Sequence, residues 1–237
     1  MIDFHSHILS ETDDGAIDFS ESAVCIFEAK KAGFSSIICT PHYMYGFYEC
    51  DYFNIENKIE KLQIVARNKD LKLYHANEIY VHDDIPGLIR NKRAATINGG
   101  KYLLMEFPLT DIPIINSIDI IKNIVKSGYI PIVAHPERYP YVQKDLNFAI
   151  ELVQNGALLQ CNYSSIDNYY GKNARKTMIK LLKKDLVSFL GTDTHRKGTI
   201  YTKMDKYISK ILKYISIEKF NDLSTNNAMK VLKNEKL

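Results

Sequence analysis

The sequence predicts an α/β fold in which a parallel sheet carries helices on its outer face. Short apolar runs rich in β-branched residues alternate with longer amphipathic stretches about seven times, which is typical of repeated strand–helix units. Residues 130–134 are apolar at every position, as expected for a parallel strand buried on both faces. A distorted, TIM-like (β/α)7 barrel fits this count. An open doubly wound sheet is the alternative, although no G-x-G-x-x-G follows the first strand, which disfavours a dinucleotide-binding domain.

The individual elements follow from apolar periodicity and from residues that end helices. The predicted strands are residues 2–4, 36–39, 71–76, 102–105, 130–134, 157–161 and 186–190. The predicted helices are residues 20–32, 53–68, 115–127, 145–155, 172–184, 202–214 and 217–233. Gly33, Gly128 and Gly156 stand just past three of these helices, where glycine commonly ends a helix.

Length and composition narrow the class of protein. With 237 residues, of which 46% are hydrophobic and 25% charged, the chain suits one globular domain over residues 1–237 and is not a disordered chain. The formal net charge of +3, without a basic block, argues against nucleic acid as the main partner. No apolar run approaches the ~18 residues of a membrane helix, and no signal peptide is recognisable. We therefore expect a cytoplasmic protein without stable membrane insertion, whose four cysteines are reduced.

Residue types that bind metal ions follow nearly every predicted strand. They are His5, His7, His42, Glu78, Glu106, His135, Asp193 and His195. In a barrel these strand ends meet at one mouth, where such folds build active sites. Each residue alone is weak evidence for a metal site. A histidine at such a position is often an ordinary surface or core residue, and Glu106 could form a buried salt bridge. Their shared position at the ends of predicted strands is what predicts a metal site. His75 and His82 do not lie at such ends.

The donor types indicate the chemistry. Imidazole and carboxylate ligands without thiolates favour Zn, Mn or Fe, and so many ligands suit two or three ions. Such ions activate water and hold the oxygens of a phosphoryl group during in-line displacement. Arg138 follows His135 closely enough to bind a phosphate oxygen, with a surface salt bridge to Glu137 as the alternative. Neither G-x-S-x-G nor C-x5-R is present, so serine-hydrolase and cysteine-phosphatase mechanisms lack support.

These motifs together resemble the polymerase-and-histidinol-phosphatase (PHP) superfamily. The resemblance rests on D-F-H-S-H at 3–7, D-D-G-A at 13–16, T-P-H at 40–42, E-I at 78–79, M-E-F at 105–107, A-H-P-E-R at 134–138, Q-C-N at 160–162 and T-D-T-H at 192–195. Within the superfamily the chain is most similar to the bacterial manganese-dependent protein-tyrosine phosphatases of capsule and exopolysaccharide loci.

The resemblance implies the distorted (β/α)7 barrel of the PHP fold and three divalent metal ions. Mn²⁺ is the expected metal, and Fe and Zn are the alternatives. One ion would take His5, His7, Glu78 and Asp193; a second would take Glu78, Glu106 and His135; a third would take Asp14, His42 and His195. A metal-bridging hydroxide would attack the phosphorus while Arg138 holds the phosphate, and His42 and Asp193 would also serve catalysis. The implied substrate is phosphotyrosine in the tyrosine-rich tail of a membrane-associated bacterial autokinase that controls polysaccharide polymerisation.

The sequence departs from the family pattern in three places. The first loop reads Ser10-Glu11-Thr12 where Pro-Gly is usual, and Tyr43 replaces a basic or histidine residue. Ile200 stands where a second phosphate-binding arginine is common, so Arg196 or Lys197 would have to bind substrate instead.

Three alternatives stay open. The aromatic residues of the loop over 43–53 either stack on a phosphotyrosine ring or pack within the loop. The chain could also be another PHP phosphoesterase, such as a histidinol-phosphate phosphatase, or a non-enzymatic metal-binding regulatory domain.

Overall fold

The structure, a computed structural model, describes residues 1–237. Its strands are β1 (Ile2–Ser6), β2 (Ser36–Cys39), β3 (His42–Met44), β4 (Tyr48–Glu49), β5 (Lys72–His75), β6 (Glu78–Tyr80), β7 (Tyr102–Glu106), β8 (Ile130–Ala134), β9 (Leu158–Asn162) and β10 (Phe189–Gly191). Its α-helices are α1 (Phe19–Lys31), α2 (Tyr52–Arg67), α3 (Ile85–Arg90), α4 (Ser117–Lys126), α5 (Pro140–Lys144), α6 (Asn147–Gln154), α7 (Gly171–Lys183), α8 (Met204–Ile211), α9 (Ile217–Asn221) and α10 (Asn227–Leu232).

Parallel strand pairing closes the sheet into a barrel of seven strand positions. β2 and β3 form one position and β5 and β6 the next, since β2 pairs with β5 and β3 with β6. The order then runs from β6 through β7, β8 and β9 to β10. β10 returns to β1 through two backbone hydrogen bonds, from Asp193 to the carbonyl of His5 (2.8 Å) and from His7 to the carbonyl of Thr194 (2.9 Å). The predicted distorted (β/α)7 barrel is confirmed, and the open sheet is wrong.

The breaks within the second and third strand positions place two of the candidate ligands. Pro41 has no N–H to donate to a strand ladder, and the side chain of Asn77 fills the gap. Its amide nitrogen donates to the carbonyl of Pro41 (3.0 Å), and its oxygen accepts from the backbone of Ala95 (2.8 Å). His42 and Glu78 follow these breaks directly and face each other in the β3–β6 register.

Alternate residues of β7 separate an outer from an inner core. Leu103 and Met105 belong to a cluster of 48 buried apolar residues that includes the helix faces. Tyr102 and Leu104 belong to a cluster of 12 buried apolar residues on the opposite face of the strand. Glu106 lies on the same face of the strand as Tyr102 and Leu104. Its carboxylate therefore extends from the end of the strand over the barrel interior.

The predicted and observed elements differ at the chain's less regular segments. β3 and β6 were not expected, because three-residue strands are too short for a periodic pattern to be recognised. The predicted helix over 217–233 is wrong as one α-helix, because residues 222–226 between α9 and α10 are π-helical. None of the helices combines the length and apolar character needed to cross a bilayer.

Candidate metal centre

The nine residues expected to bind metal lie together at the carboxyl ends of the barrel strands. Four overlapping groups place their donor atoms within 4.8 Å of one another: His7, Asp14, His42 and His195; His5, Glu78 and His135; His5, His7 and Asp193; and His42, Glu78 and Glu106. The groups are buried at one side and open at the other. The side chain of Glu78 is 1% exposed, whereas that of Asp14 is 55% exposed, so solvent reaches the centre from the side of Asp14.

The two histidines of β1 and its following loop are oriented by their outward-facing ring nitrogens. His5 Nδ1 donates to Gln160 Oε1 (2.8 Å), and His7 Nδ1 donates to Asp13 Oδ2 (2.7 Å). Each bond fixes the tautomer that leaves Nε2 free to bind a metal. The two Nε2 atoms lie 3.0 Å apart and lie 3.1 and 3.2 Å from Glu78 Oε2. This close set of lone pairs is the arrangement that a bound cation stabilises.

A second convergence of acceptors surrounds His42. Its Nδ1 is buried without a hydrogen-bond partner, yet it lies 3.2 Å from Glu78 Oε2 and 3.4 Å from Glu106 Oε1. A buried polar atom without a partner is costly, and two carboxylates directed at one site repel each other. The residues therefore fit a divalent ion, and their donor set of imidazole and carboxylate suits Mn²⁺, Fe²⁺ or Zn²⁺.

Arg138 lies at the edge of the centre, as expected for a phosphate ligand. Its Nη1 donates to Asp193 Oδ2 (2.8 Å), and its guanidinium lies 4.3 Å from the centroid of the Tyr170 ring. Asp193 Oδ2 also accepts from Asn162 Nδ2 (2.7 Å) and from the Tyr170 hydroxyl (3.0 Å). The alternative salt bridge with Glu137 is not formed, since that side chain is buried and accepts from the backbone of Asn162 (2.8 Å).

Two candidate ligands occupy left-handed backbone conformations that disfavour non-glycine residues. His135 has φ 34° and Asp193 has φ 55°. Each such residue costs about 1–3 kcal/mol and persists where the surrounding structure holds it. His135 directly follows β8, and Asp193 lies two residues after β10. The turn after each strand directs the side chain back over the barrel. Seven other non-glycine residues also have positive φ, but strain at His135 and Asp193 coincides with the candidate ligands, as is common at functional sites.

Burial and mutual charge shift the titration of these groups in opposite directions. Burial raises the pKa of Glu106 well above its usual value, and the charges of Glu78 and Asp193 add to this effect. Burial, with the charge of Arg138, lowers the pKa of His135 to about 4. Burial opposes ionisation of Asp193, but the charges of His5 and Arg138 outweigh it and hold its pKa below the usual range. Groups perturbed in this way are typical of functional sites.

The loop after β1 brings Asp14 to the centre through a tight turn at Asp13. Asp13 Oδ1 accepts from the backbone of Gly15 (2.9 Å), while its Oδ2 accepts from His7 and from the backbone of His42 (2.8 Å). A Cβ at Gly15 would lie 2.1 Å from the carbonyl oxygen of His7, so only glycine fits there. Asp14 Oδ1 then lies 3.4 Å from His195 Nε2 and 3.7 Å from His42 Nε2.

Arg196, the other expected substrate ligand, is directed away from the donor groups. Its Nη1 lies 3.2 Å from Glu21 Oε2 on α1, and the backbone N–H of Lys197 also donates to Glu21. His75 and His82, for which no role was expected, lie outside the four donor groups. His75 Nδ1 lies 3.3 Å from Glu56 Oε1 on α2, and His82 Nδ1 accepts from the backbone of Asp84 (3.0 Å).

Some aromatic side chains of the loop over 43–53 pack against the protein, and others are exposed to solvent. Tyr43 is buried, and Tyr48 stacks on His42 with the ring centroids 6.1 Å apart. Tyr45 and Phe47 are 64% and 80% exposed. Loop packing therefore accounts for some of these aromatic residues and leaves others facing solvent beside the centre.

Sequence comparison places the chain in a family. The profile of the CpsB/CapC family, described as capsular polysaccharide synthesis, matches residues 1–233. The chain belongs to the CpsB/CapC family. CapC of Staphylococcus aureus is 34% identical over 197 residues, which are 82% of this chain and 77% of CapC. The tyrosine-protein phosphatase CpsB of Streptococcus agalactiae is 29% identical over 242 residues, with 99% of both chains covered.

A solved structure agrees with this CpsB/CapC membership. It comes from work on YwqE of Bacillus subtilis and CpsB of Streptococcus pneumoniae, described as metal-dependent tyrosine phosphatases. It matches with a TM-score of 0.91 and 27% identity, covering 100% of this chain and 96% of the other.

In this member of the CpsB/CapC family, several residues that support the centre could not be predicted from residue types alone. Asp13 had no predicted role, and Asp14 was expected only through the resemblance. Gln160 and Asn162, which lie in and just after the predicted strand over 157–161, orient His5 and Asp193, but no such role was predicted for them. Their spacing of two on that strand was an available signal, because it directs both amides to one face of the sheet.

Proposed function

We propose that this chain is a metal-dependent protein-tyrosine phosphatase of capsular polysaccharide synthesis. The observation that supports it most strongly is the convergence of four overlapping metal-donor groups with Arg138 at one mouth of the barrel. The names of its relatives, tyrosine-protein phosphatases, give the reaction class. Hydrolysis of a phosphotyrosine ester requires a place for the phosphate, an activated water and stabilisation of charge in the transition state.

The residues of the centre divide this work. The nine donors would hold divalent ions, which when bound activate water and neutralise charge on the phosphoryl group. Arg138 presents a fork of N–H donors that matches two phosphate oxygens. Its stack on Tyr170 fixes the plane of the guanidinium, so the side chain needs little reordering when phosphate binds. Asn162 and Tyr170 hold Asp193, which leaves its Oδ1 directed at the donor group of His5 and His7.

The finer assignments are also part of this proposal. Three ions, Mn²⁺ in the first place, would share the donors in the sets given by the PHP resemblance, with His42 and Asp193 as catalytic ligands. Arg196 would be a second phosphate ligand once it releases Glu21. The substrate would be the phosphorylated tail of a bacterial tyrosine autokinase. Four overlapping donor groups are more than one ion can use, which supports a multinuclear centre.

The test is release of phosphate from a phosphotyrosine peptide by purified protein, with Mn²⁺ and then with EDTA. We expect turnover that EDTA abolishes and that Mn²⁺ restores. His135→Ala should remove activity because it deletes a buried donor 2.9 Å from Glu78. His75→Ala is the matched control, since it deletes a histidine outside the centre.

Two results would contradict the proposal. One is activity of the His135→Ala variant equal to that of the wild type, with the fold verified by circular dichroism. The other is a kcat/KM on histidinol phosphate that exceeds the value on the phosphotyrosine peptide, which would favour the alternative phosphoesterase.

A further inference from the structure

An apolar cavity opens beside the metal centre, between the β3–β4 hairpin and the segment that follows β6. Its volume is about 480 Å³, and seven of its eight lining residues are hydrophobic. The lining includes Tyr45 and Phe47 of the hairpin, Tyr80 and His82, and Leu88 of α3. We call this lining the aromatic rim. A cavity of this size lies in the range that binds small organic groups.

The aromatic rim is continuous with the candidate ligands. β3 begins at His42 and is followed by Tyr45, β6 begins at Glu78 and ends at Tyr80, and His42 and Glu78 face each other in register. Tyr80 pairs with Glu106 in the next strand. A group bound at the metal centre therefore has the aromatic rim as its immediate neighbour.

Two aromatic side chains of the rim, Tyr45 and Phe47, are exposed to solvent. Phe47 is 80% exposed. Outside the rim, the loop after Glu106 also exposes Ile112 (75%) and Ile115. Asn116 in that loop donates to Asp83 Oδ1 (3.2 Å), next to His82, and so joins the two loops. Exposed aromatic side chains at the opening of an apolar cavity are typical of an interaction surface.

We propose that the aromatic rim receives an apolar or aromatic side chain of the substrate polypeptide that flanks the phosphotyrosine. This inference rests on the proposed phosphatase function, because a phosphotyrosine held at the metal centre must continue as polypeptide across the neighbouring surface. The rim contains no aspartate, glutamate, lysine or arginine, so it suits an apolar side chain rather than a charged one. The substrate class is thus a phosphotyrosine segment with an apolar or aromatic residue close to the phosphotyrosine in sequence.

The test uses two seven-residue phosphotyrosine peptides that differ only in the residues two positions before and after the phosphotyrosine. One peptide has Phe at both positions and the other has Ser. We expect wild-type kcat/KM to favour the Phe peptide about tenfold, through KM, because burial of the flanking ring stabilises the ground and transition states alike. p-Nitrophenyl phosphate, which has no flanking residues, reports the chemistry alone.

The decisive variants are Phe47→Ser and the double variant Tyr45→Ser with Phe47→Ser. Both should reduce the preference for the Phe peptide to about twofold or less, without a comparable change on p-nitrophenyl phosphate. Phe27→Ser is the matched control, since Phe27 is 55% exposed on α1 beside Lys69, and it should retain the tenfold preference. Equal kcat/KM for the two peptides in the wild type, or an unchanged preference in the double variant, would overturn the proposal.

The same peptides separate this inference from the proposed function. If the wild type hydrolyses neither the peptides nor p-nitrophenyl phosphate, the phosphatase assignment fails. The rim is then tested by fluorescence anisotropy of the unphosphorylated peptides with the Mn²⁺-treated protein. Tighter binding of the Phe peptide that is lost in Phe47→Ser supports the rim, and equal binding of both peptides refutes it.

Discussion

Replacing Glu106 by Gln should stabilise the metal-free protein, although Glu106 is a candidate ligand. Gln keeps the shape of the side chain and removes its charge. The donor atoms of Glu78 and Glu106 lie within 4.8 Å of each other. Two negative charges at this distance repel by about 3.5 kcal/mol at an effective dielectric constant near 20. This value is the repulsion at that greatest separation, and Glu106→Gln removes it when both carboxylates are ionised.

The gain should depend on pH with a defined sign. Because the pKa of Glu106 is raised in the folded protein, folding takes up a proton above the pKa of the unfolded chain. The stability that protonated Glu106 contributes is fully present below that unfolded pKa and is lost as pH rises through the raised value. Glu106→Gln has no such loss. In EDTA, the variant should therefore exceed the wild type in Tm by more at pH 9 than at pH 6, by up to about 7–14 °C for a chain of this length.

Bound Mn²⁺ should narrow this difference in stability. At a free Mn²⁺ concentration of 100 times Kd, binding stabilises the folded state by about 2.7 kcal/mol. The variant lacks one charged donor and should gain less. Differential scanning fluorimetry gives the Tm of the wild type and of the variant in EDTA and in Mn²⁺, at pH 6 and at pH 9. Glu60→Gln, at an exposed position on α2, is the control. A Glu106→Gln variant that melts below the wild type in EDTA at pH 9, or that gains as much from Mn²⁺, would refute the reasoning.

Three further substitutions test the supporting residues. Asp13→Asn should weaken Mn²⁺ binding about 10–100-fold in a calorimetric titration, because an amide no longer enforces the His7 tautomer; an unchanged Kd would show that Asp13 is dispensable. Gly15→Ala should lower both Tm and Mn²⁺ affinity, since its Cβ would meet the His7 carbonyl at 2.1 Å, and a wild-type melting curve would contradict this. Arg138→Lys should lower kcat/KM on p-nitrophenyl phosphate about a hundredfold, whereas Arg90→Lys on the surface should not, and equal losses would exclude a phosphate role for Arg138.

The sequence was most informative where a periodic pattern and a chemical type coincided. The strands at residues 36–39 and 130–134 were predicted with the bounds that the structure has. Glu106 and His135 were singled out because each follows an apolar run, and both lie among the donor groups. Such residues can be predicted because ionisable side chains at buried strand ends are costly without a partner.

The rest depended on backbone geometry that no residue pattern records. Asp13 forms an ordinary turn with Gly15, and nothing in its sequence indicates that its second oxygen orients His7. Tyr170 meets Asp193 only because the turn before α7 returns over the barrel mouth. The sequence also does not indicate the left-handed conformation of His135, because the apolar residues before it predict a strand that could continue through this position.

The position of the centre on the barrel's closing seam links metal binding to folding. β1 and β10 share few backbone hydrogen bonds, and Asp3 supplements them by accepting from the Thr192 hydroxyl (2.6 Å) and the Tyr201 hydroxyl (2.7 Å). The candidate ligands His5 and Asp193 come from the two sides of this seam and belong to one donor group. An ion bound there connects residues 188 positions apart, which is the kind of long loop whose closure carries the greatest entropic cost. Metal binding should therefore stabilise closure of the barrel as well as supply the chemistry.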